Sequence, residues 1–162
     1  YDFSEEFTEE ILKEYCPHVD YCFLSCNQQG KEEQIHELLQ RIHSYGPKIV
    51  VGTRGAEGQI VFDGEQFYTG KAAPATVVDT MGAGDSFTCS FSVAYTDSKK
   101  SGSERVREAM DFGAKFAAKI CGVNGSVGDG LTYEGSLEDL YNDEDGYVYK
   151  PYIKPFGEVQ SK

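Results

Sequence analysis

The sequence predicts an α/β fold: a doubly wound sheet with flanking helices and a β-hairpin. Three observations lead there. Helical and strand-like patterns alternate through the first third as helix, strand, helix, strand. Lys48-Ile49-Val50-Val51-Gly52 carries the unbroken apolar run of a parallel-sheet interior. Asp63-Gly64 then separates two short β-rich runs, a strong two-residue hairpin signal.

Taken in order, Ser4 is placed to cap a helix over 4–15, with Phe7, Ile11, Leu12 and Tyr15 on one face and Pro17 ending it. Tyr21-Cys22-Phe23-Leu24 reads as a short buried strand. Ile35, Leu38, Leu39 and Ile42 repeat at helical spacing over 31–44, and Gly46-Pro47 stops that helix. The strand at 48–52 follows, then the hairpin arms Gln59-Ile60-Val61-Phe62 and Gln66-Phe67-Tyr68. Thr76-Val77-Val78 suggests a further short strand. A helix is predicted over 84–95 and another over 104–121, capped by Ser103, with Val106, Met110, Ala114, Ala117 and Ile120 inward. These elements make residues 1–130 one unit. Residues 131–162 read as an acidic, Tyr-rich extension in which Pro151 and Pro155 permit at most an edge strand.

Composition narrows the function classes. The chain has 162 residues, 40% of them hydrophobic and 26% charged, as expected for a single globular domain. No apolar run approaches the roughly 18 residues of a membrane span. No basic-then-apolar leader opens the chain, which begins Tyr1-Asp2-Phe3 without an initiator Met and so reads as the later part of a longer or trimmed chain. The net charge of -12 opposes non-specific nucleic-acid binding. An anionic ligand must therefore be held by local backbone N–H groups, a helix N-terminus or a metal. The five cysteines, an odd number, argue against a disulfide framework. Cys22 and Cys26 near His18 lack a second pair for zinc, so buried thiols in a reducing cytoplasm are expected.

One stretch carries chemistry. A β-rich run ends at Asp79, the small residues Gly82-Ala83-Gly84 follow, and a helix opens at Asp85. Unpaired N–H groups of a first helical turn then face whatever lies at the strand end, and glycines let a ligand approach. A phosphate is favoured there, and a carboxylate beside it can take the proton of an attacking hydroxyl. By itself this pattern also fits a glycine turn with Asp85 as a simple helix-end residue. A dinucleotide fingerprint fails because Phe87 stands where its third glycine is needed, and a Walker A loop fails because Ala72 follows Gly70-Lys71.

The longer pattern Asp79-Thr80-Met81-Gly82-Ala83-Gly84-Asp85-Ser86-Phe87 resembles, at every position, the C-terminal signature of the PfkB family, which includes ribokinase, adenosine kinase and fructokinases. The resemblance implies the C-terminal half of a ribokinase-like sheet and ATP-dependent phosphorylation of a sugar hydroxyl. It implies Asp85 as catalytic base and Gly82, Ala83 and Gly84 as anion hole. Asp79 and Thr80 match positions that help bind a monovalent cation such as K+. Val50-Val51-Gly52-Thr53-Arg54-Gly55 resembles a family segment that approaches ATP, which makes Gly52, Thr53 and Gly55 nucleotide candidates. Arg54 is expected to face solvent. Asn124 and Gly125, after the last helix, are the adenine-side candidates. The family's Asn-x-x-Glu motif, which orders Mg2+ and phosphates, is altered: Asn27 is present but Gly30 replaces Glu, leaving Glu32 nearby. This resembles fructoselysine 6-kinase-like members. The resemblance covers about residues 1–130 and lacks the half that bears most sugar contacts. An upstream half or a second subunit is therefore the expected partner, and a nucleotide-binding piece without transfer activity is the rival reading. His36 and His43, at i and i+7 of one helix without a third ligand, are expected at the surface.

Overall fold

The computed structural model describes residues 1–5 and 7–126. Four strands form one mixed sheet in the order β1-β2-β3-β4: β1 (Tyr21–Ser25), β2 (Ile49–Thr53), β3 (Gln59–Phe62) and β4 (Phe67–Gly70). β1 and β2 are parallel, with Cys22 opposite Val50; β3 and β4 are antiparallel additions, with Val51 opposite Val61 and Val61 opposite Tyr68. The helices are α1 (Glu9–Tyr15), α2 (Glu32–His43), α3 (Ala83–Asp97) and α4 (Gly102–Cys121).

Alternation along each strand sends side chains to two cores. Cys22, Leu24, Val50, Ile60 and Phe62 face one layer with Leu12, Ile35, Leu38, Leu39 and Ile42 of the first two helices. Phe23, Ile49, Val51, Val61 and Tyr68 face the other, with Phe87 and Phe91 of α3 and Val106, Ala109 and Met110 of α4. Both faces of the sheet are thus covered, which explains the unbroken apolar runs of β1 and β2. Among the described residues no helix is long and apolar enough to cross a membrane.

Five expectations need correction. The first helix begins at Glu9, not near Ser4, with Thr8 as its N-cap accepting from the Ile11 N–H. The residues before it extend the sheet instead. Phe3 N–H donates to Phe23 O (2.9 Å) and Phe23 N–H to Tyr1 O (2.9 Å), so the chain start runs parallel to β1. The hairpin turn has four residues, not two, because Phe62 pairs with Phe67. Asp63 widens it by accepting the N–H groups of Glu65 (3.0 Å) and Gln66 (2.9 Å) through one carboxylate oxygen. Residues 76–78 form no strand. Val77 and Val78 are exposed, and Val78 N–H bonds to Cys121 O (2.8 Å) at the end of α4, so β-branched composition misled there. On α4, Val106, Met110 and Ala114 are buried as expected, whereas Ala117 and Ile120 are only partly so. The last helix is preceded by Ser101, two residues before the expected cap.

Cys16, Cys22 and Cys26 are buried free thiols. Burial pushes the Cys26 thiol up to about 12, with the Arg54 charge pulling the other way. His36 is less exposed than expected: its ring stacks on Phe67 at 3.9 Å and its Nε2 is enclosed without a hydrogen-bond partner among the described residues. The extension at 131–162, and the edge strand considered within it, lie outside the described residues.

Candidate active site

The motif at 79–87 has two faces. On the inner face Asp79 ties two loops together: one carboxylate oxygen accepts the Met81 N–H (3.0 Å) and the other the Gly125 N–H (2.9 Å). These bonds, Met81 first and then Gly125, hold its carboxyl below the usual carboxylate range. Gly82 follows at φ 75°, a left-handed conformation, and a Cβ there would lie 2.4 Å from the Ser126 Cβ. Only glycine fits that turn. Asp79 and Gly82 therefore brace the chain against the loop after α4.

The outer face belongs to α3. Ala83 N–H is taken by Thr80 O (3.2 Å) and Ser86 N–H by Gly82 O (2.9 Å). The N–H groups of Gly82, Gly84 and Asp85 have no acceptor among the described residues. Thr80, Ala83, Gly84 and Asp85 line a cavity of about 1070 Å³, and Asp85 is exposed to it. Phe87 fixes the direction of this turn. Its ring packs where Gly113 of α4 has no side chain, within 2.9 Å of the missing Cβ position, and it stacks on Phe91.

The strand-end segment reaches the same cavity. Thr53 and Gly55 line it, with Asn27, whose Oδ1 lies 3.3 Å from where a Gly55 Cβ would be. Gly52 does not line it; a Cβ there would meet Cys26 Sγ at 2.8 Å, so this glycine makes room for the core under α2. Arg54 is neither solvent-facing nor turned to the cavity. Its side chain is 11% exposed, with Nη1 3.7 Å from both Glu32 and Glu57. Glu32 also lies 3.7 Å from His36 Nε2 and is not in the cavity wall, so it does not stand in for the acid missing at Gly30.

Of the residues after α4, Asn124 is exposed and outside the cavity lining, and the Gly125 N–H is committed to Asp79. That side of the cavity is built by Ala114, Ala117, Ala118 and Cys121 of α4. The opposite wall holds residues that sequence reasoning missed. Glu5 accepts from Ser25 Oγ (3.1 Å), Ser25 Oγ accepts from Asn27 Nδ2 (3.1 Å), and Asp2 accepts from Thr88 Oγ1 (3.1 Å). No local motif marks Asp2 or Glu5; pairing of the chain start with β1 brings them there.

Gly84 and Asp85, whose N–H groups have no acceptor among the described residues, the Asp85 carboxylate and the small side chains of α4 thus line one cavity. The model of the pfkB family carbohydrate kinases matches residues 7–131. Fructosamine kinase FrlD of Bacillus subtilis is 38% identical over 139 residues, covering 86% of this chain and 46% of its own length. Fructoselysine 6-kinase of Shigella flexneri is 33% identical over 126 residues, covering 78% and 46%. The structure of Arabidopsis thaliana ribokinase complexed with ribose and ATP superposes with a TM-score of 0.62 at 30% identity, over 72% of this chain and 39% of that one. The chain thus spans about half the length of the curated relatives it matches. With the family pattern extending from the first helix to the loop beyond α4, this chain belongs to the pfkB family of carbohydrate kinases.

Proposed function

We propose that the protein transfers the γ-phosphoryl group of ATP to a hydroxyl of a sugar amine of the fructoselysine class. One observation carries the reading: Asp85 and Gly84, whose N–H groups have no acceptor among the described residues, line the same cavity as Thr53 and Gly55. The 38% and 33% identities to a fructosamine kinase and a fructoselysine kinase support the substrate class.

Asp85 takes the proton of the acceptor hydroxyl as its oxygen bonds to phosphorus and the bond to the ADP oxygen breaks. The N–H groups of Gly84 and Asp85, helped by the positive end of α3, hold the charge on the moving phosphoryl oxygens. Gly82 serves this anion hole chiefly by making the turn, and Ala83 by shaping its wall. ATP brings the phosphoryl group with Mg2+, and Asn27 and Glu5 on the cavity wall would hold that ion, which would offset the phosphate charge. Asp79 holds the loop, and with Thr80 it is the place for a K+ requirement. The apolar end, between α4 and residues 72–77, takes the base.

An ADP-release assay on the intact protein tests this, with fructoselysine, fructose, ribose and adenosine as acceptors. Fructoselysine should give the highest kcat/KM. Asp85→Asn should lower kcat at least ~100-fold while ATP affinity is nearly kept. Near-normal turnover in that variant removes Asp85 from the role, and equal rates across the acceptors remove the substrate assignment. The rival, a nucleotide-binding piece without transfer, is favoured by the 46% coverage and predicts ATP binding with no ADP release from any acceptor.

A further inference from the structure

Gln59 is a polar side chain in an apolar place. It is 3% exposed, and Gln59 and Ser90 are the buried polar side chains among the described residues. It sits at the start of β3, on the face toward α4, and lines the base end of the cavity with Ala114, Ala117 and Ala118. A lone carboxamide among alanines is destabilising unless both its ends find partners.

One end has a partner. Nε2 donates to the main-chain O of Met110 at 3.5 Å. A carbonyl can only accept, so the NH2 group must be the end that faces Met110. The amide is also wedged: a Cβ at Gly70, across the β3–β4 ladder, would lie 2.4 Å from Nε2 and 2.9 Å from Met110 Cε. Turned over, it would set Oε1 against the Met110 carbonyl, two acceptors facing each other. Oε1 accepts no hydrogen bond among the described residues. It is also not one of the side-chain atoms sealed off without a partner, which are His36 Nε2 and Arg54 Nε. The open space that Gln59 adjoins is the cavity itself.

We infer that Gln59 reads the nucleobase, its Oε1 accepting a hydrogen bond from the 6-amino group of a purine and so selecting a 6-amino over a 6-oxo base. The inference rests on the nucleotide reading above. A 6-oxo purine would set its own O6 against Oε1, two acceptors with no hydrogen between them. Small side chains at 114, 117 and 118 leave width for a flat ring but supply no other polar discrimination.

The test is calorimetric titration of the 162-residue chain with Mg2+-ATP and Mg2+-ITP, which differ at position 6 alone. ATP should bind at least ~10-fold more tightly, the fold-change of one well-made buried hydrogen bond against a mismatched pair. In Gln59→Met, similar in volume, the two affinities should come within ~3-fold of each other, mainly by loss of ATP affinity. Equal affinities in the unaltered chain, or an unchanged ratio in the folded variant, overturn the inference and leave the nucleotide reading standing. If the variant does not fold, purine ribonucleoside triphosphate decides on the unaltered chain. It lacks the 6-amino donor and should bind more weakly than ATP; equal binding overturns the inference. Binding of none of these nucleotides overturns the nucleotide reading, and this inference with it.

Discussion

Asp79 illustrates how one residue can serve a site it does not touch. Both its carboxylate oxygens accept main-chain N–H groups, from Met81 and from Gly125, and this holds its carboxyl below the usual range. An Asp in the unfolded chain titrates at about 3.9. A carboxylate depressed in the folded state stabilises fully above that value, and its contribution is lost as pH falls through the lower folded value. Thermal melts across pH 3 to 7 should therefore show a flat neutral region and a fall in acid that is shallower in Asp79→Asn. An identical acid limb in the variant would mean that the tie between the loops does not stabilise the fold. At this scale the sequence was uneven. Asp85, Thr53 and Gly55 were legible because a spacing pattern names them and the structure brings them to one cavity. Arg54 was not, because a charged residue in a loop looks exposed until Glu32 and Glu57 are seen on either side of it. Asp2 and Glu5 were invisible because their position depends on pairing between the chain start and β1.

At the scale of the element, α3 works through its first turn. Gly82 and Gly84 look alike in sequence yet make different demands. Gly82 is left-handed and pressed against Ser126, so Gly82→Ala should destabilise the fold by about 1–3 kcal/mol. Gly84 is helical and a Cβ there would meet nothing within 4 Å. Gly84→Ala should leave stability equal or up to ~1 kcal/mol higher, and yet weaken ATP binding because the new methyl group enters the phosphate end of the cavity. Denaturant unfolding and nucleotide titration of the pair check this, and equal stability losses in both would contradict it. The buried helix faces were readable from their 3.6-residue period. The limits were not: Ser4 resembles a cap, but Asp2 draws its N–H at 2.8 Å and the chain turns away before Thr8 starts the helix. Residues 76–78 carry β-branched side chains without the partner strand that would make them β-structure.

For the whole molecule, the three-layer arrangement could be read from alternating patterns, since apolar runs covered on both faces leave few alternatives. The antiparallel half of the sheet was legible as a hairpin, though not its wider turn. Completeness of the site is a separate matter. One wall of the cavity is formed by the first five residues, whose outer strand edge is uncovered among the described residues, and the chain matches 46% of its curated relatives' length. Residues 1–162 alone should bind ATP weakly and release no ADP with any sugar. Supplying the portion of the relatives' length that this chain does not match, on the same chain or in trans, should raise turnover from background. Sugar-dependent ADP release by the 162-residue chain at a rate matching the intact protein would show the site to be whole already.

The empty place beside Gly52 has a practical consequence. Because β2 carries no side chain there, Cys26 Sγ fills the space beneath α2, and its thiol is both sealed and poorly ionised. Cys89, on the solvent side of α3, is open. An alkylating reagent therefore meets two very different clocks in one chain. Cys89 is modified at the speed of the reagent, whereas Cys26 waits for the sheet and α2 to part, so its labelling rate counts those openings. Mass spectrometry of timed alkylation turns the pair into an internal stopwatch, with Cys89 setting the zero and Cys26 recording how often the wall behind Thr53 and Gly55 comes apart.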